Sequence, residues 1–181
     1  GCGVSAAWEI TRCARPHLER LAQQTQYTAL LSCVEGSDIV VIDQRVSGTG
    51  IQVASEIGGR TPLHATSQGK LLLSRLPDAT VRYLINTCGM APFTPHTIVD
   101  LATLTEELER IRQWGYAIEN GEYKIGLRSV SAPVFDREGQ MRYTLTVVGL
   151  FRHVASGEFE EAVDMVCAAA GSLSRELGYN A

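Results

Sequence analysis

Hydrophobic and polar positions along this chain alternate between a helical period and a strand period, and the switches lay out its elements. Val4 to Cys13 has helical character. Pro16, a residue best tolerated in a first turn, predicts a helix over about Arg15 to Gln24 with Leu18, Leu21 and Ala22 buried. Tyr27 to Val34 and Ile39 to Arg45 are rich in strand formers, and Glu35-Gly36-Ser37-Asp38 supplies the turn of a hairpin between them. Val46 to Gly59, with Ser47-Gly48-Thr49-Gly50, is less regular and is expected to hold one short strand. Ala65 to Ser74 and Pro77 to Asn86 read as helices, and Pro92 and Pro95 mark Cys88 to Thr97 as loop. Asp100 caps an amphipathic helix carrying Leu101, Leu104, Leu108 and Ile111, and Gly115 ends it. Tyr116 to Ile118 begins a strand, and Leu127 to Phe135 with Met141 to Leu150 forms a second hairpin. A last helix opens at Ser156, carries Phe159, Val163, Val166, Ala170, Leu173 and Leu177, and closes at Gly178. Helices bracketing a sheet of hairpins make an α+β fold.

The second hairpin has a predictable face. If Phe135 pairs with Gln140, Ser129 lies opposite Thr146 and Ser131 opposite Thr144. Ser129, Ser131, Thr144, Thr146 and Val148 then share one face. Arg128, Val130, Ala132, Val134, Tyr143, Leu145 and Val147 share the other. Pro133 cannot donate to a ladder, so an edge position or bulge would shift this register. Hydroxyls on a sheet face more often meet water than a ligand.

Charge narrows the function. With 16 Lys and Arg against 20 Asp and Glu in 181 residues, the net charge is −4 and no basic face stands out. Direct grip on a phosphate backbone by these residues is therefore not expected. No apolar run approaches a membrane span and no secretory leader is visible, so a cytoplasmic protein without membrane contact is expected. The cysteines, Cys2, Cys13, Cys33, Cys88 and Cys167, form no C-x-x-C pair. Neither a zinc site nor a disulfide framework is suggested, and reduced thiols are expected.

Motifs for catalysis are missing. Ser67-Gln68-Gly69-Lys70 resembles part of a phosphate-binding loop, but His64 and Leu71 stand where that motif needs glycine and Ser or Thr. What remains is a polar helix start whose free N–H groups suit an anion. The four histidines have no metal-binding spacing, and no G-x-S-x-G elbow occurs. His64 beside the helix start is either a ligand contact or a hydrogen-bonded core residue. Glu119 and Glu122 flank Asn120-Gly121, where carboxylates usually face water.

Three segments together resemble the C-terminal effector-binding domain of IclR-type transcription regulators. The first is Gly59-Arg60-Thr61-Pro62-Leu63-His64-Ala65-Thr66-Ser67-Gln68-Gly69-Lys70 followed by Leu71-Leu72-Leu73. The second is Gly115-Tyr116 leading to Glu122 and then Gly126-Leu127-Arg128-Ser129-Val130-Ser131-Ala132-Pro133-Val134-Phe135-Asp136. The third is Ala14-Arg15-Pro16-His17-Leu18-Glu19-Arg20-Leu21 near the start.

The resemblance implies a GAF-like domain over residues 15–181, an antiparallel sheet flanked by helices. Residues 1–14 are then the end of an interdomain helix or, at Gly1-Cys2-Gly3, a cloning remnant. It implies control of transcription, as repressor or activator, without catalysis, cofactor or metal. A small organic effector, such as a carboxylic or aromatic acid, would sit between the Gly69-Lys70 helix and the sheet, touching Ser67, Gln68, Glu119, Ser129, Thr146 and Val148. A homodimer or homotetramer is implied, with operator DNA read only by a winged helix-turn-helix preceding residue 1. A GAF-like thiol enzyme and a tetrapyrrole or cyclic-nucleotide sensor are the competing readings.

Overall fold

The computed structural model describes residues 4–48 and 52–181, so Gly1-Cys2-Gly3 and the Thr49-Gly50 pair lie outside the described residues. The first helix departs from the sequence pattern. Helix α1 (Val4–Thr25) runs unbroken through Pro16 instead of starting beside it. Ile10, Ala14, Leu18 and Leu21 are buried along its inner side, while Pro16 is exposed. The carbonyl that proline leaves without a donor therefore faces water, which makes an interior proline tolerable. Gln26, at φ 62°, turns the chain into the sheet.

Strands β1 (Thr28–Glu35) and β2 (Asp38–Arg45) form the expected first hairpin around Gly36-Ser37. Among the described residues of 46–59 no strand forms; the nearest feature is an isolated bridge between Val40 and Arg60. The Gln44 side chain replaces a ladder there, donating to Ser55 O at 2.7 Å and accepting from Ser55 N at 3.0 Å. The Thr28 hydroxyl, donating to Val53 O, ties the same segment across the sheet edge.

Helices α2 (Ser67–Ser74), α3 (Asp78–Cys88) and α4 (Leu101–Trp114) follow. The Asp100 side chain accepts from Thr103 N at 2.8 Å, and Gly115 takes the left-handed conformation at φ 80°, so both predicted ends of α4 hold. Strands β3 (Ala117–Asn120), β4 (Arg128–Phe135) and β5 (Met141–Gly149) precede α5 (Gly157–Glu176), capped by Ser156. The five strands order as β2-β1-β5-β4-β3, with every pairing antiparallel.

The second hairpin pairs differently from the simplest register. Phe135 meets Met141, and a bulge beside it brings Ser129 opposite Val148 and Ser131 opposite Thr146. That displacement from the expected partners is even, so every side chain keeps its face; an odd slip would have inverted them. Val130, Ala132, Val134, Leu145 and Val147 join Leu31 in an apolar core against α1 and α5. Ser32, Ser129, Ser131, Thr144 and Thr146 face the other way and are buried, against the expectation of a solvated hydroxyl face. Helix α2 covers them, its Leu71, Leu72 and Leu73 joining a second apolar cluster with Leu104, Leu108 and Ile111 of α4.

Cys13, Cys88 and Cys167 are free, whereas Cys33 is disulfide-bonded, which departs from the fully reduced set expected. Spacing along the chain carries no information on which thiols meet in space. Among the described residues no helix is long and apolar enough to cross a membrane.

Gly69 sets how closely α2 can lie on the segment before it. A Cβ there would fall 2.5 Å from Leu63 Cα and 2.6 Å from Leu63 O. Backbone atoms cannot move aside as a flexible side chain can. G69A is expected to lower unfolding free energy by about 1–3 kcal/mol, read as a reduced midpoint in urea denaturation.

Candidate functional site

Helix α2 begins at Thr66, whose hydroxyl accepts from Gly69 N at 3.2 Å and donates to Pro62 O at 2.9 Å. The amides of Ser67 and Gln68, in the first turn, have no partner within the helix. All eight residues of α2 are buried, so its polar side chains must be satisfied by protein. Lys70 is 0 % exposed. Its ammonium donates to Ile118 O at 2.7 Å and to Glu122 Oε1 and Oε2 at 2.8 and 3.0 Å, with Glu107 Oε2 at 3.8 Å. Asn120 N donates to Glu122 Oε2 at 2.9 Å, while the Thr94 and Thr97 hydroxyls donate to Gly121 O and Glu122 O, both at 2.6 Å. The Gly-Lys pair is therefore an anchor: glycine allows close approach, and lysine bolts the helix to the turn after β3.

Under the start of α2 lies a cavity of about 420 Å³. Ser67, Gln68, Glu119, Ser129, Thr146 and Val148 all line it, so the structure brings together every residue expected at the site. Leu30, Val53 and Leu127 add apolar walls, and Lys124, Leu150 and Ile125, the last 78 % exposed, stand at the rim. Leu30 was legible as an alternate strand position. The rim residues were not, because loops carry no periodic signal. His64 takes the other path open to it: its Nε2 lies 2.9 Å from Ala91 O, and it lines a separate cavity with Phe93.

Hydroxyls make the floor a connected chain. Ser67 Oγ lies 2.7 Å from Ser129 Oγ and 2.8 Å from Ser131 Oγ, and Ser131 Oγ lies 2.5 Å from Thr146 Oγ1. The Gln68 carboxamide is fixed by Ser32 Oγ, donating at 2.7 Å, and by donation to Thr61 Oγ1 at 3.1 Å. Glu119 is 2 % exposed, and Ser129 Oγ donates to its Oε1 at 3.5 Å, the long limit of such a bond. Its Oε2 is buried with no hydrogen-bond partner among the described residues. Desolvation, reinforced by the nearby Glu122 carboxylate and opposed by Lys70, pushes the Glu119 carboxyl up to about 8. At neutral pH this carboxyl is mostly uncharged. Among the described residues no group of three or more His, Cys, Asp or Glu is placed to hold a metal ion.

A five-stranded antiparallel sheet with helices sealing one face and roofing a polar-floored cavity on the other defines an α+β, GAF-like domain. The family described as "Bacterial transcriptional regulator IclR C-terminal" matches residues 2–175, and the chain belongs to it. The chain is 28% identical over 173 residues to the HTH-type transcriptional repressor AllR of Escherichia coli K12, covering 96% of this chain and 64% of AllR. It thus spans less than two thirds of that relative's length. The crystal structure of Thermotoga maritima IclR superimposes with a TM-score of 0.85 at 32% identity, over 94% of this chain and 69% of that one. The C-terminal domain of the E. coli transcriptional regulator KdgR gives a TM-score of 0.81 at 29% identity, over 94% and 99% of the two chains.

Two outcomes test this geometry. K70M leaves Glu122 buried without its cation and is expected to cost about 3–5 kcal/mol, measured by chemical denaturation. Glu119 makes stability depend on pH. Its folded value, about 8, exceeds the ordinary 4.5, so the native state keeps a proton that the unfolded chain releases. The stabilising contribution is full below about pH 4.5, declines as pH rises and is gone above about pH 8. Across that window the melting temperature of wild type should fall more steeply than that of E119Q, which cannot titrate.

Proposed function

We propose that this chain is the effector-binding domain of a bacterial transcription regulator and that it acts without catalysis, cofactor or metal. The observation that carries the reading is the cavity under α2, floored by Ser67, Ser129 and Thr146 and closed on its deep side by Glu119. A small organic molecule occupies it, with a carboxylate or other oxygen end on the free Ser67 and Gln68 amides and an apolar body against Leu30, Val53 and Val148. Gln68 and Val148 leave less hydrogen-bonding room than small hydroxylated residues would, which favours an aromatic or larger acid over a very small oxoacid. The serine hydroxyls bond to one another and to Glu119 rather than to an imidazole. That arrangement supports recognition over nucleophilic attack.

Signal leaves the domain as a population shift. The effector favours one arrangement of a homodimer or homotetramer, which changes the spacing of winged helix-turn-helix heads on operator DNA in the cytoplasm. The part of α1 before residue 15 serves as the end of the helix that joins those heads to the domain at 15–181, and the rest of α1 carries the joint onto the sheet.

A thermal-shift screen against oxoacids, sugar acids and aromatic acids tests the reading. A saturable rise in melting temperature is expected with at least one acid class. S129A and T146V should each weaken that ligand about tenfold, because each breaks the hydroxyl chain that orders the cavity floor beside Glu119. No shift with any of the acids would remove the effector assignment and leave the fold.

A further inference from the structure

The cavity floor uses up its own protons. Each serine or threonine hydroxyl has one proton to donate. With Ser129 donating to Glu119 Oε1, Ser67 must donate to Ser129, Ser131 to Ser67 and Thr146 to Ser131. Every hydroxyl proton of this chain is then spoken for inside the wall, and these oxygens offer a ligand only lone pairs. Lys70, the buried cation nearby, gives its three protons to Ile118 O and the two oxygens of Glu122. The deep side-chain group left with an uncommitted atom is Glu119, whose Oε2 is buried and unpartnered among the described residues.

We propose that Glu119 selects the ligand as an uncharged carboxylic acid, donating its Oε2 proton to a carboxylate or carbonyl oxygen in the cavity. This rests on the reading of the cavity as the effector site and names what that site asks of its ligand: an oxygen acceptor, not an amine. The surroundings keep the acid neutral. Lys70 of α2 and Glu122 of the turn after β3 face Glu119 as a pair that neutralises itself, with Glu107 of α4 beside Lys70. Tyr123 and Lys124 stand in the loop towards the rim. The other strands present Leu30, Ser129, Thr146 and Val148 to the cavity, which bring no charge. The upward push on the Glu119 carboxyl agrees with this placement. An anionic ligand is thus received with a proton already waiting for it, and no arginine or free lysine is needed at the deep end.

The test combines carbon-13 NMR titration of the glutamate carboxyls, assigned with E119Q, with calorimetric binding of phenylacetate and phenethylamine from about pH 6 to about pH 9. One glutamate signal absent from E119Q should titrate near pH 8, well above the rest. Phenylacetate affinity should fall by up to about tenfold per pH unit above that value, and E119Q, which keeps a donor, should bind it with a flat profile. Glu119 titrating with the ordinary glutamates overturns the proposal alone, since acids that still raise the melting temperature would keep the effector site. Phenethylamine binding more tightly as pH rises also overturns it alone, because the carboxylate form would then be the one that binds. Binding of neither probe at any pH, together with silence of every acid in the screen, overturns both.

Discussion

Lys70 is the fixed point of this domain. Carrying an ammonium to complete burial is costly unless every proton finds an acceptor, and here two oxygens of Glu122 and the Ile118 carbonyl provide them. A buried ion pair adds little stability over a well-packed apolar replacement, so its value lies in position. It holds α2 in one place over the sheet and fixes the turn after β3 in one conformation. The amides of Ser67 and Gln68 then open onto the hydroxyl face. Glu119 lies three positions before Glu122 and is turned into the cavity, without a cation of its own.

The sheet can serve this arrangement because its two faces do different work. Alternate residues of β4 and β5 send Val130, Val134, Leu145 and Val147 into the core under α1 and α5. Their neighbours Ser129, Ser131, Thr144 and Thr146 go to the cavity side. A change on the cavity side therefore acts on strands whose other face packs against α5. His17 of α1, whose Nε2 lies 2.8 Å from Glu176 Oε2 at the end of α5, joins the two helices behind the sheet. The path from the cavity floor to α1 crosses the sheet and then α5.

Much of this was legible in the chain. Period-two patterning identified both hairpins, and Asp100, Gly115 and Ser156 marked helix ends by their capping chemistry. The division of β4 and β5 into polar and apolar faces survived a wrong register, because turn and bulge together displaced the pairing by an even step. Failures came where no local rule applies. Pro16 reads as a helix start until one knows that it faces water. A side-chain amide, Gln44, took the place of a strand partner for 46–59. The partner of Lys70 is 52 residues away, and only the folded chain shows that the two meet. The rim is formed by Lys124 and Ile125 on a loop whose position depends on that same pair.

Unpaired polar atoms in the interior are expensive, and their distribution is informative. Among the described residues, buried side-chain atoms without a hydrogen-bond partner are His17 Nδ1, Asp43 Oδ2, Glu119 Oε2 and Thr144 Oγ1. Glu119 and Thr144 both belong to the sheet side covered by α2, and Glu119 borders the cavity. Apolar side chains filling this space would have stabilised the fold more simply. Instead the hydroxyls of Ser67, Ser129, Ser131 and Thr146 form one chain ending on Glu119, leaving an open volume whose floor is already ordered. A ligand entering it need not break that chain to be held. The deep group still lacking a partner is the Glu119 carboxyl, and the protein alone does not resolve that deficit. A cavity that is structurally complete except for one acceptor is organised around a guest.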